Sequence, residues 1–173
     1  MALSPAQLAT LKADIEVNAN TIPAGRPFAG TAINTLPNNV DADFEIARWY
    51  GLFTAAFIVW RTNVTITMVG DNFVGSELSG LTTANQTRLQ TIAQFSPSGI
   101  NPSLEDRRFF FDDVFSGAGG AATRAKLLIL WKRLARNIEK VFATGTGLDA
   151  SPATMVFEGT ITSQDVENAR NLP

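Results

Sequence analysis

The sequence predicts a mainly α fold: a helical bundle in a single domain over residues 1–173, with a long irregular arm over residues 18–40. The C-terminal tail, residues 155–173, is expected to add a short strand or an extended segment. Three observations carry this reading. Apolar residues recur at three- and four-residue spacing in several segments, as one face of an α-helix requires. Those segments open on helix-starting residues, with Ser4-Pro5 and Asn101-Pro102 as the plainest cases. Stretches rich in Pro, Gly and Asn separate them. A chain of 173 residues also fits the usual size of one hydrophobic core.

Taken in order, Ser4 followed by Pro5 starts a helix that runs to about Val17, with Leu8, Leu11 and Ile15 on one side. Prolines at 23, 27 and 37 then deny backbone donors, which makes the arm irregular. So long a loop is uncommon in a compact domain. Its apolar anchors Phe28, Ile33 and Leu36, with Val40 after them, suggest that the arm lies on a surface, its own or a neighbour's. Asp41 and Asp43 suit the positive end of a second helix. The apolar run from Gly51 to Trp60 reads most simply as a helix entering the core, and it is about half of the roughly 20 residues that a bilayer span needs.

Residues 63–69 fit either a short strand or a broken helix, because β-branched residues alternate there. Thr82 or Thr83 caps a helix carrying Leu89, Ile92 and Phe95, and a further helix follows Asn101-Pro102 until Ser116-Gly117. Within it Phe109, Phe110 and Phe111 cannot all face one side, so at least one points at a second surface, a surrounding core or a partner. The strongest helix signal covers Ala121 to Phe142, where Leu127, Leu130, Trp131, Leu134, Ile138 and Val141 form a broad apolar stripe. Its other face is basic, with Lys126, Arg133, Arg136 and Lys140 as candidate contacts for DNA or an acidic partner, against the plainer reading of a solvated face. Beyond the turn residues Gly145 to Pro152, Met155 to Ile161 is extended, with Phe157 exposed to a partner, and Thr162 or Ser163 caps a last short helix.

Composition narrows the chemistry. The net charge of −2 gives no bulk attraction for nucleic acid or an anionic membrane. Charged residues make up 17% of the chain, below the roughly 25% of typical soluble domains, which leaves more neutral surface to meet a partner. No cysteine or histidine is present, so thiol chemistry, thiolate metal sites and the commonest general base are closed. No phosphate-binding glycine motif occurs either. The acid pairs Glu105-Asp106 and Asp112-Asp113 are read as surface groups, with Arg108 and Asp112 spaced for an ion pair. We therefore expect no enzyme, no cofactor and no metal. The opening residues lack the basic and apolar regions of a secretory signal, so synthesis in the cytoplasm is expected.

Several segments resemble small virion-associated proteins of tailed bacteriophages and prophages. They are Phe57 to Val64, Asn101 to Gly117, Leu130-Trp131-Lys132-Arg133, Phe142 to Gly147 and Ala150 to Met155. The likeness covers most of the chain beyond about residue 40 and consists of packing and turn residues. Similar proteins often carry proline after the Trp-Lys-Arg stretch, where Leu134 stands here. The resemblance implies a structural protein of the virion, present in the host cytoplasm during assembly, and most closely a head-to-tail adaptor or neck subunit. Such a subunit would form a ring with copies of itself, meet portal or tail components, and lie near the passing genome, with no membrane involved. Tail-tube, baseplate and capsid-decorating roles, and a small DNA-binding module, are the alternatives. In that setting Phe28, Ile33, Leu36, Phe109, Phe110 and Phe157 become the candidate arm and interface residues.

Overall fold

A computed structural model describes residues 2–173. In chain order the helices and strands are α1 (Pro5–Val17), α2 (Val40–Tyr50), β1 (Phe53–Trp60), α3 (Ile66–Asp71), α4 (Gly75–Ser79), α5 (Thr83–Phe95), α6 (Glu105–Val114), α7 (Ala121–Leu130), β2 (Lys132–Arg136), α8 (Asn137–Phe142) and α9 (Ser163–Arg170). No helix among the described residues is long and apolar enough to cross a membrane. The chain forms two compact units, one from residues 1–57 and 134–173, the other from residues 58–133.

The fold is mixed α/β, though largely α, and this corrects the expected helical bundle. Two segments read as helix are the paired strands of an antiparallel sheet. Gly51 closes α2 by donating to the carbonyls of Ala47 and Arg48. The residues after it, Phe53, Thr54, Phe57, Ile58, Val59 and Trp60, are the aromatic and β-branched types that suit a pleated surface. The two strands differ in length. The backbone bonds Asn137 to Leu52 and Arg61 to Trp131 flank the sheet, and β1 spends more residues between them than β2 does. Within β1 the Thr54 hydroxyl accepts from the Phe57 N–H and donates to the Phe57 carbonyl.

The single helix expected over Ala121 to Phe142 is likewise three elements. Lys132, Arg133, Leu134, Ala135 and Arg136 are adequate helix formers, so pairing with β1 overrides local preference here. The chain turns helical again because the Glu139 carboxylate accepts from the Arg136 N–H at 2.7 Å, capping α8. The apolar stripe is thereby shared out: Leu127 and Trp131 are buried in one core, and Ile138 in the other.

In the first unit, the Ser4 hydroxyl and Gln7 form a capping box at the start of α1, as the Ser-Pro signature predicts. The arm folds back on its own unit. Thr21 bridges Ala32, and Ile22, Ile33 and Leu36 insert into a core with Leu11, Ile46 and Tyr50. Helix α9, capped by Thr162 and Asp165, packs against both α1 and α2. Arg170 near its end donates to Asp43 of α2 at 2.7 Å and to the Leu36 carbonyl at 2.8 Å, which joins arm, α2 and α9 at one partly buried guanidinium. The buried Tyr50 hydroxyl donates to Asp14 of α1, where desolvation first and the Asp14 carboxylate second push its pKa well above the ordinary value. Residues 155–161 form no named strand; Met155 and Ile161 anchor them to this unit.

In the second unit, Val64 and Ile100 bridge across a core of Val69, Phe111, Val114, Phe115 and Trp131. Of the two forms that residues 63–69 fitted, the helical one occurs, because the Thr65 hydroxyl accepts from the Met68 N–H and starts α3. Helix α6 begins at Glu105, and Asn101 instead organises the turn before it by accepting from the amide and hydroxyl of Ser103. Helix α7 follows Gly120, which has no side chain to cap it and must be glycine, since a Cβ there would lie 2.0 Å from the Phe115 carbonyl oxygen. The cap comes from Glu77, whose carboxylate accepts from the Ala122 and Thr123 amides.

Two expected outcomes test these connections. Arg170→Ala leaves the Asp43 carboxylate buried without its partner and should lower stability by about 3 kcal/mol, read from urea unfolding. For Glu77, the Thr123 hydroxyl, helped by the Thr123 and Ala122 amides and the Arg124 charge, holds the carboxyl below its ordinary value of 4.5. A depressed carboxyl stabilises the fold above its unfolded pKa and loses that contribution as pH falls through the folded one. Acidification from pH 5 should therefore lower Tm less in Glu77→Gln than in the wild type, and Glu77→Gln should already melt lower at pH 7.

Candidate functional site

The candidate basic face is not one face. Lys126 is exposed on α7, Arg133 lies within β2, Arg136 ends β2, and Lys140 belongs to α8. Arg136 donates to the Gly51 carbonyl at 2.6 Å and lies over the Phe53 ring, so its charge is engaged within its own unit. Lys140 sits over Phe57 at 5.8 Å. Lys126 is exposed with no hydrogen-bond, ion-pair or ring partner among the described residues, and Lys140, also exposed, has only the Phe57 ring.

The candidate interface residues also separate. Ile33 and Leu36 are buried in the first unit, and Phe28 packs at its edge with a left-handed backbone, φ 60°. Phe157 stacks on Phe142 at 5.5 Å. Phe111 is buried, Phe110 is half-buried beneath Arg88, and Phe109 is 67% exposed, so the three consecutive phenylalanines take three environments. What sequence reading missed is the set of large apolar side chains that the structure leaves outside. Val40 and Phe44 on α2, Phe95 at the end of α5 and Ile129 on α7 are all exposed. A helix-face count at α2 and α7 would have found Val40 and Ile129 off the buried side.

Each unit has its own clefts. In the first, a large open cleft is lined by Asp14, Asn18, Trp49, Phe57, Lys140 and Gly147 among others. Asn18 organises its floor: its amide donates to Asp14, and its carbonyl accepts from the backbone and side chain of Asn20. Gly147, at φ +66°, lies against the Phe57 ring, which fixes one wall. A second cleft on the same unit joins Phe28, Val40 and Phe44 to Glu45 and Arg48. In the other unit, a cleft lies among Trp60, Arg108, Asp112, Arg124 and Trp131. Arg108 stacks over Trp60 at 4.0 Å and donates to the Pro102 carbonyl, and Arg124 donates to the carbonyls of Phe115 and Gly117. The expected Arg108–Asp112 ion pair is replaced by this stacking. Burial raises the Asp112 carboxyl, and the Arg124 and Arg108 charges partly offset it. Asp113 instead pairs with Arg88 at 2.8 Å. In both arginines of this cleft Nη1 is bound to backbone carbonyls, which fixes the guanidinium groups as part of its wall.

Comparison with protein-family models, with curated proteins and with solved structures finds no match.

Gly147→Ala should narrow the large cleft and strain its loop, because the added Cβ would fall 2.3 Å from the Phe57 ring. A loss of about 2 kcal/mol is expected from the combined overpacking and left-handed backbone, measurable by urea unfolding.

Proposed function

We propose that the chain is a non-catalytic structural subunit of a tailed-phage virion, and within it a head-to-tail adaptor or neck subunit that rings the portal vertex. The observation that carries the structural half of this reading is the set of large apolar side chains held outside both cores. Val40 and Phe44 do so on one unit, and Phe95, Phe109 and Ile129 on the other. Single exposed apolar residues are ordinary, but Val40 and Phe44 line one cleft together, and apolar surface shaped in that way suits contact with another protein. Apolar contact points on both units also suit a ring, whose heterologous interfaces join one patch to a different patch on the next copy.

The virion half rests on the sequence resemblance to small phage and prophage proteins. Its partners in this reading are copies of itself and the portal or tail components next to it. The dispersal of Lys126, Arg133, Arg136 and Lys140 over three elements, with Arg136 engaged internally, weighs against a DNA-binding module.

Electron cryo-microscopy of purified particles tests the placement. A ring at the portal vertex is the expected result. Density along the tail or over the capsid shell would overturn the adaptor position, and absence of the chain from particles would overturn the virion reading itself.

A further inference from the structure

Glu45 is the most unusual group on the surface of the first unit. It is only 2% exposed; one carboxylate oxygen pairs with Arg48 at 3.1 Å, and the other, Oε2, is buried with no hydrogen-bond partner. A buried carboxylate oxygen without a donor is costly, and such a group in a folded protein calls for a missing partner. Glu45 also lines the cleft of about 590 Å³ that holds Phe28, Val40 and Phe44. Val40 is 72% and Phe44 53% exposed, so the unsatisfied acceptor lies beneath an apolar rim. Arg48, whose side chain is about half exposed, lies over the Phe44 ring.

That combination selects its ligand chemistry: a cationic side chain carried next to apolar ones. The other unit presents it. On α7, Lys126 is exposed and without a partner, and Ile129, three residues on and so on the same helix face, is 76% exposed. The charge balance agrees, since residues 58–133 carry eight basic and six acidic residues, and the remainder carries six basic and ten acidic. We infer that the Glu45 cleft of one copy receives the Lys126–Ile129 face of α7 from a second copy. The Lys126 ammonium donates to Glu45 Oε2, and Ile129 packs on Val40 and Phe44. The contact is heterologous, one patch on a different patch, so it can propagate around a ring. It rests on the assembly reading above but needs only copies of this chain.

The chain has no cysteine, which makes cross-linking clean. Val40→Cys and Ile129→Cys proteins, each alone, should form no disulfide-linked dimer under mild oxidation, and an equimolar mixture should give disulfide-linked dimers. Lys126→Glu in the Ile129→Cys partner should reduce the cross-linking rate about tenfold, as loss of a close charge pair does. Adding Glu45→Lys to the Val40→Cys partner should restore it, with circular dichroism confirming that each variant is folded. No dimer in the mixture overturns the inference. So does cross-linking indifferent to Lys126→Glu, which would mean that Glu45 is satisfied inside the chain, for instance by Arg26, whose Nη1 is also buried without a partner. Dimers of Val40→Cys alone would mean a symmetric contact and overturn it too. The virion reading fails separately, by absence from particles.

Discussion

Arg170 holds the first unit together. A guanidinium largely withdrawn from water needs acceptors, and here Asp43 and the Leu36 carbonyl supply two from different segments. The consequence is topological. Leu36 ends the arm, Asp43 sits in the first turn of α2, and Arg170 lies in the last turn of the final helix. The core of that unit is therefore completed only when the two ends of the described chain meet, whereas residues 58–133 form their unit from one continuous segment. Asp14 and Tyr50 repeat the same logic between α1 and α2, with a buried hydroxyl that donates to a carboxylate. Polar pairs fix which helices meet, and the aliphatic residues around them supply the driving force.

Helix starts were legible because a cap is a local event. Ser4, Thr82 and Thr162 each place a hydroxyl within reach of an amide three residues on, and nothing distant has to be known. The strands were not legible, for the opposite reason. Lys132 to Arg136 has no strand character of its own and becomes one by pairing with a segment some 70 positions earlier in the chain, a distance set by the Arg61 to Lys132 contact. The partner strand, Phe53 to Trp60, is nearly all apolar and so shows no alternation that would have told it from a buried helix. Glu77 shows the same limit for caps, because the carboxylate that starts α7 comes from another helix altogether.

For the surface, sequence could say that the arm needed anchors and that three consecutive phenylalanines needed more than one surface. Spacing alone could not say which anchors face inward. Ile33 and Leu36 flank a single turn of 3₁₀ helix, which brings both against the core, and Phe28 reaches the same core through a left-handed backbone. The basic residues do not share one helix face, because the sheet interrupts the helix that would have aligned them. Lys126 lies before the interruption, on α7, and Lys140 after it, on α8.

Several exposed or half-exposed aromatic rings carry a cation: Arg48 over Phe44, Arg136 over Phe53, Arg88 over Phe110 and Lys140 over Phe57. Such a pair contributes about 0.5–1 kcal/mol at an exposed site, whereas fully burying a phenylalanine contributes about 1.5–3 kcal/mol. The cation keeps the ring's face from water and brings a hydrated charge to the surface, which opposes indiscriminate apolar association. A partner that covers the whole ring gains more than the cation supplied, provided that the displaced charge finds another acceptor or returns to solvent. At Phe44 the cation is also the group that shares Glu45, so covering the ring and satisfying the carboxylate become one event. Such coupling makes a contact selective: a purely apolar partner strands the acid, and a purely charged one leaves the ring wet.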